Sequence, residues 1–134
     1  MPPISDLATL LRTLQPELNP GIYVYAMVPE GQDLPLHSVI ASIREPEGLS
    51  VVMEESAAQH ARLAPIFRCA WITLSVNSDL EAVGMTGAFA AALAAANISC
   101  NVVAGVNHDH IFVPVAQAQE AMQALRSLQS AQLA

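Results

Sequence analysis

The stretch from Cys69 to Val113 restricts the fold more than any other part of this chain. It opens as an alternating strand, with Ala70, Ile72, Leu74 and Val76 on one face and Cys69, Trp71, Thr73, Ser75 and Asn77 on the other. One face therefore belongs to a core, and the other carries hydroxyls toward a polar turn at Asn77. Ser78-Asp79-Leu80-Glu81 follows with capping-box spacing, which predicts that a long alanine-rich helix opens there. Along it, Leu80, Val83, Gly84, Gly87, Ala91, Ala94 and Ile98 form one stripe, and Ala82, Met85, Phe89, Leu93 and Ala96 a second. The small-residue stripe is predicted to approach a sheet closely, and the larger one to need a cover of its own. A strand from Cys100 to Val106, a tight turn at Asn107-His108-Asp109 and a strand from His110 to Val113 complete the run.

The flanking elements are less regular. Ser5 and Asp6 start a helix with Leu7, Leu10, Leu11 and Leu14 at helical spacing, ended by Pro16 and Pro20-Gly21. Ile22–Val28 is a strand apolar on both faces, so both are expected to be covered. Ser38–Arg44 and Leu49–Glu54 flank the breaker turn Glu45-Pro46-Glu47-Gly48 and read as a hairpin, and Ser56–Leu63 reads as a short helix. After Pro114, Val115, Ala118, Met122, Leu125 and Leu128 mark the inner side of a last helix. The weakest connection is Ala64-Pro65-Ile66, which places a boundary between units 1–65 and 66–134. The second lacks only a closing strand to be a ferredoxin-like, split-βαβ unit. The first holds one strand that it can lend across, so two interlocked, strand-sharing units are the expected architecture.

Composition narrows function. Hydrophobic residues make up 53% and charged residues 13%, which excludes disorder and leaves too few charges to cover a monomer, so a homodimer is expected. A net charge of -7, with only scattered arginines, argues against nucleic acid and against an anionic membrane as partner. No apolar run approaches a transmembrane span, and Met1-Pro2-Pro3-Ile4-Ser5-Asp6 lacks the regions of a signal peptide. Cys69 and Cys100 lie in apolar strand patterns, as reduced thiols of a cytoplasmic protein would.

Trp71-Ile72-Thr73-Leu74, Leu80-Glu81-Ala82-Val83-Gly84-Met85-Thr86, Ile98–Gly105 and His108–Pro114 resemble the ACT domain. In the first half the resemblance rests on Asn19-Pro20-Gly21-Ile22-Tyr23-Val24 and Glu45–Val52. More narrowly, the chain is similar to small bacterial proteins of two tandem ACT-like units, related to the ACT units of cytosolic arginine sensors. The resemblance implies an α+β fold of two ferredoxin-like βαββαβ units, pairing of units, and amino acids or similar metabolites as ligands. It implies a site in the loop from the first strand to the first helix, here Asn77 to Gly84 with Asn77, Ser78, Asp79, Glu81, Val83 and Gly84. Facing it in a paired unit would be Asn101, Val102 and Val103 of the strand running to Gly105. Many ACT units regulate an enzyme to which they are fused; here the regulated protein is expected on another chain.

Two readings of that loop stay open. Helix N-termini carry unpaired N–H groups and partial positive charge, which suit a ligand carboxylate, while Asp79 or Glu81 suits an amino group. Equally, Ser78 and Glu81 serve as caps and Gly84 as a packing residue. His108 and His110, two apart, invite a metal, yet no third ligand is near in sequence, and a polar hairpin without metal is expected. Asp109 is a candidate contact for a ligand cation. Pro2 as a catalytic base would have to begin a buried strand rather than precede a helix, and neither cysteine has basic neighbours in sequence to lower its pKa. Trp71 is expected in the core. The expectation is a non-catalytic small-molecule sensor with no cofactor; the alternative is a protein-interaction scaffold without a ligand.

Overall fold

The computed structural model describes residues 6–75 and 83–131. Packing divides the chain into two compact units: Pro20–Ala70, the inserted unit, and Met1–Asn19 with Trp71–Ala134, the outer unit.

The inserted unit contains β2 (Tyr23–Val28), β3 (Val39–Glu45), β4 (Gly48–Glu54), α2 (Glu55–His60) and the first half of β5 (Phe67–Leu74), numbered after the outer unit's β1 and α1. The expected hairpin is present, pairing from Glu45↔Gly48 to Val39↔Met53 with a bulge between Val39 and Ala41. β2 is central, paired antiparallel to β4 from Tyr23↔Glu54 to Val28↔Leu49 and to β5 from Tyr23↔Cys69 to Tyr25↔Phe67. The strand order is thus closing, first, third, second, as in a ferredoxin-like unit. Val24, Ala26, Val28, Val51 and Met53 pack under Ala58 of α2. Sequence periodicity called for both faces of β2 to be covered, but Tyr25 and Met27 on the other face are only half-buried. The crossover 29–38 holds a single 3-10 turn, Leu36–Ser38, where such a unit carries its first helix. Pro29, Gly31 and Pro35 account for this, since prolines remove helical donors and glycine favours the coil.

In the outer unit α1 (Leu7–Thr13) is capped by Asp6, whose carboxylate accepts from the Thr9 amide at 3.0 Å and the Thr9 hydroxyl at 2.7 Å. β1 (Pro16–Leu18) then pairs antiparallel with the second half of β5, Pro16↔Leu74 to Leu18↔Ile72. Sequence reading made Pro16 a helix terminator; it is also the first residue of the closing strand, a position where a missing N–H does little harm. α3 (Met85–Ala95), β6 (Asn101–Ala104), β7 (Asp109–Pro114) and α4 (Ala118–Ala131) follow. The strand order is β1-β5-β7-β6, again closing, first, third, second. Leu10, Phe89, Leu93 and Leu125 of the three helices are fully buried, as are Ile72, Leu74, Ile111 and Val113 of the strands.

The helix α3 starts at Met85, with Gly84 as its N-cap at φ +100° and Val83 before it not helical; the capping-box start expected at Ser78 lies outside the described residues. One correction concerns its stripes. The large stripe, Met85, Phe89 and Leu93, faces the core, whereas Gly87, Ala91 and Ala94 are exposed. Filling the core takes side-chain volume, which the small stripe does not have. Among the described residues no helix is long and apolar enough to cross a membrane.

Candidate functional site

Alternation along β5 brings Trp71 and Thr73 to one face of the outer unit, and β7, its neighbour, presents His110 and Phe112 there. Trp71 is therefore half-buried rather than a core residue, and its Nε1–H donates to His110 Nδ1 at 3.0 Å. Thr73 Oγ1 lies 3.2 Å from the same nitrogen and accepts from Asn19 Nδ2 at 2.9 Å. Asn19 is held where β1 ends: its backbone N–H and its side chain both donate to Trp71 O, at 2.9 and 3.2 Å. A donor on Nδ1 places the proton of the neutral imidazole on Nε2. That nitrogen lies against Gly105, where an added Cβ would stand 3.3 Å from it and 3.0 Å from His108 O. Any larger residue would press on the imidazole and on the His108 carbonyl. His108 Nδ1 is buried without a hydrogen-bond partner among the described residues, a state that costs about 1–3 kcal/mol.

Burial, then the neighbouring His108, hold His110 below the ordinary 6.5, against the opposing pull of Asp109. Because the unfolded chain then binds the proton more readily, the stability from a neutral His110 is complete above pH 6.5. It is lost as pH falls from there through the folded value. Urea midpoints measured at pH 7, 6 and 5 are expected to decline, and His110→Gln, which keeps an acceptor for Trp71, to flatten the decline. Asp109 acts in the opposite sense in a more acidic window. Burial raises its pKa above 3.8, so its contribution is lost as pH rises through that window.

The sequence-predicted residues are distributed as follows. Asn77, Ser78, Asp79 and Glu81 lie outside the described residues. Val83 is 84% exposed. Asn101 and Val103 pair with Phe112 and His110, so both share the face of the polar cluster. Val102, opposite Ile111, and the buried Asp109, opposite Ala104, point to the other face. His108 precedes β7 rather than lying on it, so the two histidines do not form a strand pair. Among the described residues no group of three or more potential ligands is placed to hold a metal. Asn19 was missed because its partners lie 52 and 54 residues away; the hydroxyl face of β5 was the only local signal.

Gly84 has a packing duty. Its φ of +100° is strained for any L-residue, and a Cβ there would stand 3.1 Å from Leu7 Cδ2 of α1. Gly84→Ala is expected to lower stability by about 1–2 kcal/mol in urea titrations.

Two ACT domain models match the chain, over residues 2–70 and 66–127. No curated protein matches it. A protein of unknown function from Vibrio cholerae, described as a possible transport protein, is 44% identical over 92% of this chain and 95% of its own, with a TM-score of 0.78. An Agrobacterium tumefaciens protein has 15% identity, TM-score 0.63, and coverage of 87% and 89%. The ligand-free regulatory subunit of aspartate kinase from Thermus thermophilus has 11% identity, TM-score 0.64, and coverage of 84% and 95%. The chain belongs to the ACT domain family and carries two ACT domains in tandem.

Proposed function

We propose that this protein is a regulatory module that binds a small polar metabolite, an amino acid being the first class to consider. The reading rests chiefly on one observation: an ACT unit here carries a half-buried polar cluster, Asn19, Trp71, Thr73 and a neutral His110. Such clusters are costly unless satisfied, and close to it the buried His108 Nδ1 has no hydrogen-bond partner among the described residues. The ligand site we propose takes the loop residues Asn77, Ser78, Asp79, Glu81, Val83 and Gly84 of one unit and the strand residues Asn101, Val102 and Val103 of a paired one, with His110 Nε2–H, on the face of Asn101 and Val103, as a donor to a carboxylate. Asp109, on the opposite face with Val102, is the candidate for a ligand cation. The family units run 1–65 and 66–134, in keeping with the two family matches, and the packing of residue segment 6–19 with the outer unit fits exchange of a strand. The protein acts without catalysis, as a cytoplasmic homodimer that controls a protein on another chain. The Thermus thermophilus neighbour is a regulatory subunit of aspartate kinase, which supports a regulatory reading.

A thermal-shift panel of the twenty amino acids and common polar metabolites tests this. A ligand at a hundred times its Kd adds about 2.7 kcal/mol, enough to raise the melting temperature by several degrees. A selective shift lost in His110→Ala or Glu81→Ala is the expected result. A flat panel at millimolar ligand sinks the sensor reading and leaves the interaction scaffold. That second reading is favoured by the exposed Ile43 beside half-buried Tyr25, Met27 and Phe67 on the open face of the inserted unit.

A further inference from the structure

The inserted unit has a cleft of about 580 Å3 at the end of its sheet where β2 and β3 begin and β4 ends. It exists because the crossover 29–38 has no helix to cover the sheet there. The volume is in the range that small ligands occupy. Its floor is apolar, formed by Met53, Leu34, Ala57 and Ala61, with Pro35 and Ile40 at the sides.

The polar groups of the wall are unevenly matched. Three hydroxyls line it, and each already donates its proton: Tyr23 to Pro20 O at 2.7 Å, Ser38 to Pro35 O at 2.8 Å, and Ser56 to Glu54 Oε1 at 2.6 Å. The hydroxyls therefore have no proton left for an anion, whereas Ser38 and Ser56 keep oxygen lone pairs that can accept. Glu54 is the one carboxylate of the lining, and no lysine or arginine is among the described lining residues. The charge of Glu54 is felt at the Tyr23 phenol in the same wall, where it adds to burial in raising the pKa above its ordinary 10. His37 and His60 also line the cleft, each able when neutral to accept one hydrogen bond and to donate one. The chain as a whole carries -7, which further disfavours an anion.

An apolar floor beside a wall that holds a carboxylate and, among the described lining residues, no lysine or arginine suits one kind of guest. The geometry points to a second binding site in the inserted unit, for a small primary amine whose apolar body lies on Met53 and Ala57 and whose ammonium meets Glu54. The ammonium brings three donors, which suit the Glu54 carboxylate and the lone pairs that Ser38 and Ser56 keep. The site is separate from the polar cluster of the outer unit and does not depend on the reading given to that cluster.

Three probes of similar shape separate the possibilities: phenethylamine, 3-phenylpropanol and 3-phenylpropionate, titrated into the full chain labelled with 13C at the methionine methyls. Phenethylamine is expected to shift the Met53 methyl saturably, and the propionate to bind at least about tenfold more weakly. Glu54→Gln, at an exposed position, is expected to weaken the amine about tenfold and leave the alcohol unchanged. Ala57→Leu fills the cleft and is expected to abolish binding of all three, with its circular dichroism checked against the parent. Equal affinity for amine and propionate, amine binding indifferent to Glu54→Gln, or a Met53 methyl unmoved at 10 mM amine (about a hundred times a 100 μM Kd) each overturns the proposal.

Discussion

Replacing Phe112 by alanine is expected to remove about 3–5 kcal/mol of stability, the largest single loss foreseen for this chain. The side chain is fully buried, and its ring stacks on Trp71 with centroids 6.4 Å apart and planes 23° from parallel. Deleting it leaves a cavity directly beneath the indole, so the loss combines the transfer term with lost contacts that rigid neighbours do not restore. Domains of this size have about 5–15 kcal/mol in total, so the variant should melt roughly 10 °C or more below the parent. Trp71 is the single tryptophan, and its emission should shift to the red as its cover disappears. The effect then reaches the polar cluster, because Trp71 holds His110 through Nε1. Phe112→Leu, which keeps most of the volume, should cost much less. A loss under 1 kcal/mol in Phe112→Ala would mean that this sheet face is not packed as described.

What could be read from the sequence follows the range of the forces involved. The β3–β4 hairpin was legible because Glu45-Pro46-Glu47-Gly48 is a local breaker between two apolar runs. α4 was legible from the 3.6-residue spacing of Met122, Leu125 and Leu128, and the second ACT unit from motifs along β5, β6 and β7. β1 was not: three residues, Pro16-Glu17-Leu18, carry no period, and only their pairing with Leu74, Thr73 and Ile72 makes them a strand. The role of Gly84 as N-cap of α3 was not legible, because its positive φ is set by the tertiary path and not by a local pattern; the capping-box spacing at Ser78 lies outside the described residues. Of the polar cluster, His110 and the hydroxyl face of β5 were visible as residues, but Asn19 came to them only through tertiary pairing. The loop expected to bind ligand, Asn77 to Gly84, was read from resemblance and from the chemistry of a helix N-terminus.

Raising the pH above 9 is expected to destabilise the protein steeply, and Cys69 should account for much of the slope. Its side chain is fully buried in β5, where Sγ donates to Tyr23 O at 3.4 Å, and burial pushes the thiol from 9.0 up to about 12. Between those values the unfolded chain has released the proton and the folded one has kept it. The unfolded state then binds fewer protons, so stability falls as pH rises, by about 1.4 kcal/mol per pH unit for one such group. By pH 11 the loss from Cys69 is about 2–3 kcal/mol, while below pH 9 it vanishes. Burial also raises Cys100 and Tyr23, so the whole protein should show a steeper dependence than Cys69 alone supplies. Cys69→Ala separates the contributions. Its cavity lowers stability by a similar amount at every pH, whereas the alkaline slope should shrink by the one-group value. Urea midpoints of parent and variant at pH 8, 9, 10 and 11 measure both. Parallel curves would mean that Cys69 ionises in the folded protein as readily as in the unfolded one. Its full burial, with Sγ donating to the Tyr23 carbonyl, argues against that outcome.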